Sequence, residues 1–214
     1  MGIVKAAIID SLGFDVDEPL MAGSAAAFKA MNFDFCIRYI PRTSALAKGN
    51  LTLSEIGIIL DAGLSLSAVQ HCPEPGWQPT AALGTQYGQY AGQYAAEIGL
   101  PPGINIWLDL EMVAPTAKAD DIIAYCENWY DQVGLHGYIP AVYIGYQTGL
   151  TDTQLYENLS FKHYWRAYNC DQSIPTRGYQ ITQFPAKTLN GISFDPNIVK
   201  SDNLGSLPIF VFPS

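Results

Sequence analysis

The hardest constraint on this chain is a rhythm: a short extended run, then a longer amphipathic one, five times over, followed by strands with little helix between them. Ile8-Ile9 and Gly13-Phe14-Asp15-Val16 read as a first strand, and Ser24 reads as the cap of a helix over Ala25–Met31. Phe35–Ile40 reads as the second strand, stopped by Pro41. Thr52 with Glu55 three residues on resembles the capping box of a helix that runs to Asp61 and ends at Gly63. Leu64–Gln70 is a third strand. His71–Thr80 is a Pro/Gly-rich loop, and Thr80–Gly99 is a helix whose Gly84, Gly88 and Gly92 share one face. Each glycine costs helix propensity, so a close neighbour is expected along that stripe. A fourth strand, a helix over Thr116–Val133, a strand at Ile139–Gly145, a short helix at Thr151–Leu159 and a strand at His163–Ala167 continue the pattern. Gly178–Phe184 and Ser193–Val199 then read as strands without helices between them.

Strand–helix alternation of this kind makes a parallel α/β chain, and right-handed crossovers let eight such strands close into an irregular TIM-like barrel. The rival, an open doubly wound sheet, lacks the Gly-rich phosphate loop expected after its first strand. Residues 1–200 are assigned to a single barrel domain and 201–214 to a C-terminal tail, whose Ile209-Phe210-Val211-Phe212 patch either folds back or meets a partner.

The fourth strand, Ile104–Glu111, carries the chemistry. Alternation puts Asn105, Trp107, Asp109 and Glu111 on one side and Ile106, Leu108 and Leu110 on the other. Two carboxylates thus look the same way, with an apolar face behind them that needs covering. A half-buried strand whose polar face merely meets water has the same alternation.

Composition excludes several partners. With 49% hydrophobic and 14% charged residues, the 214-residue chain affords a large core. A net charge of -9 without a Lys/Arg cluster argues against nucleic acid. No stretch approaches the length of a membrane helix, and Met1–Asp10 is too short an apolar run for a secretory signal. Cys36, Cys72, Cys126 and Cys170 lie far apart and read as buried thiols rather than a disulfide framework. His71-Cys72, His136 and His163 are too dispersed for a zinc site, so neither metal nor cofactor is expected.

In such barrels sites gather at the C-terminal ends of strands. Asp15 ends the first strand, Asp109 and Glu111 the fourth, and Asp195 lies in the last, which neighbours the first in a closed ring. Four acids would then meet in one bowl. Singly, Asp15 and Asp195 also read as turn residues. Tyr39, Trp77, Tyr143 and Trp165 sit at or just past strands and are candidate walls for a sugar ring, although the same residues read as core. Arg38 and Arg166 are candidates to pair with the acids or with a substrate carboxylate.

Gly13-Phe14-Asp15-Val16-Asp17, Trp107-Leu108-Asp109-Leu110-Glu111, Gln183-Phe184 and Gly191-Ile192-Ser193-Phe194-Asp195-Pro196-Asn197 together resemble the ordered signatures of the family 25 glycoside hydrolases, which are lysozymes. The likeness is closer still to the related glycoside-hydrolase-like domain, domain of unknown function 1906, and it runs from about Gly13 to Val199. It implies an irregular barrel of five β/α units and three closing strands that cleaves peptidoglycan after N-acetylmuramic acid. Carried across, Glu111 matches the general acid and Asp109 the partner that orients or stabilises the N-acetyl group. Asp15 and Asp195 match the remaining acids, and Gln183 the glutamine of the third signature. Two departures concern the sugar subsites: Thr182 stands where an aromatic usually precedes the glutamine, and Asp17-Glu18-Pro19 stands where lysozymes show a serine and an aromatic.

The chemistry asks for such a cluster in its own right. A glycosidic oxygen leaves badly unless protonated, so one carboxyl must stay neutral near neutral pH, and neighbouring carboxylates keep it so. Glu111, lying deeper among the other acids, suits that task. The implied partner is peptidoglycan or a related glycan, at the cell wall, in the periplasm or outside the cell. A non-catalytic glycan-binding domain on the same barrel is the second reading, and a glycosidase for another polymer the third.

Overall fold

The computed structural model describes residues 2–46 and 48–214. Eight strands close into a barrel: β2 (Leu12–Val16), β3 (Phe35–Ile40), β4 (Ser65–Gln70), β5 (Asn105–Leu110), β6 (Ile139–Ile144), β7 (Tyr164–Arg166), β8 (Ile181–Gln183) and β10 (Ile192–Val199). Helices α1 (Ala22–Ala30), α2 (Leu53–Asp61), α3 (Ala81–Glu97), α4 (Ala119–Leu135) and α5 (Asp152–Glu157) fill the first five connections. β7 passes to β8 without a helix, and the short β9 (Lys187–Leu189) pairs antiparallel with the start of β10. The ring from β2 through β8 is parallel, whereas β10 runs antiparallel to both β2 and β8. That reversal is the irregular end of an otherwise parallel ring, and Asp195 lies in the first half of its strand. An antiparallel strand brings its N-terminal half to the end of the barrel where its neighbours finish.

The first strand element is not Ile8-Ile9, whose side chains are exposed in a turn. It is β1 (Ile3–Ala6), paired antiparallel with β11 (Ile209–Phe212), which also pairs with β4 at Val211↔Leu66. The C-terminal segment therefore folds back. Asn105 Oδ1 accepts the Ile209 N–H at 2.6 Å, and the Phe210 ring lies 5.2 Å from that of Phe35, closing the bottom of the barrel. Gly13 makes room for Phe35, since a Cβ there would stand 2.4 Å from the ring.

Two cap expectations are also corrected. Ser24 is inside α1, where its Oγ accepts the Met21 N–H at 2.9 Å, so the helix begins earlier. Thr52 does cap α2 through the Glu55 N–H, but the Glu55 side chain does not complete the box. It turns inward and pairs with Arg38. The glycine stripe behaves as expected: a Cβ at Gly84 would stand 2.2 Å from the Tyr125 carbonyl oxygen of α4, and one at Gly88 2.7 Å from that of Trp129. Both faces of β5 are buried, which removes the reading of a strand with a wetted side. No helix among the described residues is long and apolar enough to cross a membrane.

Candidate active site

The floor of the bowl is aromatic. Trp107 donates its indole N–H to Ser67 Oγ at 3.0 Å and meets Trp165 edge-on, and Trp165 donates to Asn197 Oδ1 at 2.8 Å. Tyr143 stands on Trp165, ring centroids 4.6 Å apart, and its hydroxyl donates to Gln183 Oε1 at 3.0 Å. This fixes the tilt of Gln183, whose Nε2 then donates to Asp15 Oδ2 at 3.0 Å and Asp195 Oδ2 at 3.3 Å. Asn197 Nδ2 adds a 2.6 Å bond to Asp15 Oδ2. Asp15 and Asp195 face one another in the β2–β10 register.

Asp15, Asp109, Glu111 and Asp195 are brought together, and burial raises the carboxyl of each. Burial pushes the Asp15 carboxyl up to about 7, against the pull of the Gln183 amide and with a further push from Asp195. Burial, then the Glu111 charge, holds Asp109 well above the usual carboxylate range. Glu111 is raised by burial and by Asp195, offset in part by hydrogen bonds from Cys72 and the Tyr146 backbone. Burial raises Asp195 as well. The depth order differs from the expected one. Asp109 is 5% exposed while Glu111, one residue past β5, is only partly covered at the rim. A side chain beyond the last ladder pair is no longer enclosed by neighbouring strands.

Local structure holds Glu111 there. Its carbonyl accepts the Trp77 indole N–H at 2.9 Å, and Met112 turns the chain with φ 51°. Gly145, one residue past β6, leaves the space the side chain occupies, since a Cβ there would stand 2.4 Å from Glu111 Cβ and Oε2. Beside it Cys72, two residues past β4, has its thiol 3.8 Å from Glu111 Oε1 and gives its backbone N–H to Asp109 Oδ2 at 3.4 Å. The expectation of a buried thiol fails for Cys72, which is only partly buried in the bowl, and holds for Cys36, Cys126 and Cys170.

The other expected residues divide. Tyr39 reaches the bowl, its hydroxyl 3.5 Å from Asp15 Oδ1 and its ring stacked on His71. Tyr143 and Gln183 lie under the acids. Trp77 packs edge-on against Tyr125 and Trp165 is 1% exposed, so both support the site from beneath rather than presenting a wall. Arg38 is a correction: it is fully buried behind the barrel wall, bonded to Glu55 Oε1 at 2.6 Å and to the carbonyls of Val16, Asp17 and Gly49. A strand cannot aim Arg38 and Tyr39 at the same face. Arg166 likewise points away beside Trp165 and donates to the Cys170 carbonyl at 2.7 Å. Asn197, Cys72 and Gly145 were missed. Asn197 lies two residues from Asp195, hence on its face, and Cys72 follows a strand end, so period and position carried a signal for both.

Two adjoining clefts open over this constellation. One of about 290 Å³ is lined by Asp15, Tyr39 and Asp195, the other of about 400 Å³ by Arg42, His71 and Cys72, and they share Asp17 and Glu18.

Residues 26–199 match the model of the Rv2525c-like, glycoside hydrolase-like domain. The chain belongs to that family. The match starts after Asp15, whose place in the bowl rests on the barrel itself. Among solved structures, the Tat-secreted protein Rv2525c of Mycobacterium tuberculosis shares 18% identity with a TM-score of 0.65, over 89% of this chain and 96% of that one. A bacterial lysozyme from Streptomyces coelicolor shares 12% identity with a TM-score of 0.62, over 90% and 93%. A family 25 glycosyl hydrolase from Bacillus anthracis shares 13% identity with a TM-score of 0.58, over 89% of each chain. At these identities the likeness is one of fold, and the glycoside-hydrolase-like barrel of the Rv2525c-like family is the architecture of this chain. No curated protein sequence matches it.

Proposed function

We propose that this glycoside-hydrolase-like domain is a muramidase-type glycosidase that cleaves peptidoglycan or a closely related glycan, with Glu111 as the general acid. The observation that carries this reading is the position of Glu111: at the rim of the bowl, within reach of a bound chain, above a buried Asp109 and near Asp195, with its carboxyl raised toward the neutral form. A neutral Glu111 gives its proton to the glycosidic oxygen as the bond breaks, and the positive charge that develops on the sugar ring is met by the acids around it. Asp109, whose Oδ1 makes no hydrogen bond among the described residues, is the group placed to orient an N-acetyl substituent. Tyr39 and the clefts beside it offer the sugar a flat face and room for its neighbours. Family membership and the lysozymes among the structural neighbours support the same reading.

The test is mass spectrometry of peptidoglycan digested by the wild type and by Glu111→Gln. Reducing ends after muramic acid should appear with the wild type and vanish with the variant, whose circular dichroism stays unchanged. A variant as active as the wild type removes the mechanism. Tight binding of the wild type to cell wall with no soluble fragments from about pH 4 to about pH 8 replaces it with a non-catalytic glycan-binding domain.

A further inference from the structure

We propose that the ends of β4 and β5 form a site for a borderline divalent cation of the zinc class, held by Cys72 Sγ and by one carboxylate oxygen each from Asp109 and Glu111. The three donor atoms all lie within 4.8 Å of one another. On a tetrahedral zinc ion, a sulfur at about 2.3 Å and an oxygen at about 2.1 Å stand roughly 3.6 Å apart. Cys72 Sγ and Glu111 Oε1 are already separated by 3.8 Å. The Cys72–Glu111 edge then closes by tenths of an ångström, and the edges to Asp109, within 4.8 Å, close by about an ångström or less through side-chain rotation.

A second observation is independent of that clustering. Asp109 is 5% exposed, and its Oδ1 is buried without a hydrogen-bond donor among the described residues. A desolvated carboxylate oxygen left unpaired is costly, and a cation supplies what it lacks. The cationic side chains nearby do not meet this need. Arg38 is committed to Glu55 behind the wall, and Arg42 lies out in the cleft.

The donor set selects the metal. One soft thiolate with two hard carboxylates disfavours calcium and magnesium, which take oxygen throughout, and suits zinc or cobalt. On binding, the Cys72 thiol loses its proton to solvent as the metal–sulfur bond forms. Three protein ligands leave a fourth position for water. Because Glu111 and Asp109 also belong to the proposed glycan site, metal and glycan exclude one another. The metal site stands without the hydrolase reading, since it rests on the donor geometry and on the unpaired Asp109 oxygen.

The test uses the whole chain, without glycan. Titration of metal-free protein with Co²⁺ should give one ion per chain with a thiolate-to-cobalt charge-transfer band in the near ultraviolet, and Zn²⁺ should displace it. Cys72→Ser should lose the band and weaken Zn²⁺ binding by roughly tenfold or more in calorimetry. Glu111→Gln should weaken binding while keeping the band, and Cys170→Ser should change neither. Thermal melting verifies that each variant is folded. A wild type with no band, a band that survives Cys72→Ser, or undiminished affinity in Glu111→Gln overturns the proposal. Absence of glycan cleavage bears only on the function proposed above.

Discussion

Asp15 shows what enclosure does to a single side chain. Its carboxyl is raised to about 7 because burial penalises the charge more than the Gln183 and Asn197 amides favour it. A carboxyl with a folded pKa above its unfolded one binds its proton more tightly in the native state. Its contribution is complete below the unfolded value near 3.8 and is lost as pH rises through about 7. The melting temperature should therefore fall between about pH 4 and about pH 7 in the wild type. Asp15→Asn, which keeps the shape and carries no charge, should flatten that slope and gain stability at pH 8 by ~1–3 kcal/mol. An unchanged slope in the variant would place the titrating group elsewhere. Asp15, Asp109 and Asp195 were legible in the sequence because strand alternation and ring closure put them on one face. Arg38 was misread because its charge was weighed before its parity. Adjacent to Tyr39 in one strand, it had to face the other way, and the buried partner it found there was Glu55.

At the scale of the element, the α3–α4 contact turns three poor helix formers into a packing surface. Gly→Ala in an exposed helix ordinarily stabilises by ~0.5–1 kcal/mol, and α2 and α3 let this be compared within one protein. Gly57 of α2 is exposed and nothing would lie within 4 Å of its Cβ, so Gly57→Ala should raise stability by about that amount. At Gly88 the added carbon would meet the Trp129 backbone, which cannot rotate away, so Gly88→Ala should lower it by ~1–3 kcal/mol. Denaturant unfolding of both variants decides, and equal effects would mean that α3 stands off from α4. The stripe was legible because its spacing is helical and its cost is known. The start of α1 was not, because a serine with its hydroxyl on a main-chain N–H looks the same in sequence whether it stands before the first turn or within it.

For the molecule as a whole, the ring could be anticipated from the order of strands and helices, and its two ends could not. Ile8-Ile9 is the stronger apolar pair, yet β1 is the modest Ile3–Ala6, chosen because β11 arrives beside it from the far end of the chain. Local pattern carries no trace of a partner some two hundred positions away. The segment 201–214 supplies Phe210, fully buried against Phe35, and a donor to Asn105. Losing a buried phenylalanine alone costs ~3–5 kcal/mol, a large share of the stability of an ordinary domain. A chain ending at Lys200 should therefore melt at least several degrees lower or aggregate, and an unchanged melting temperature would make the segment accessory. Closure of the ring by β8 and β10 against β2 has a consequence for biosynthesis. Asp15 leaves the ribosome 168 residues before Gln183 and 182 before Asn197, whose amides hold its carboxyl. Until both have emerged its acids stand apart, and any product released before them is without a bowl.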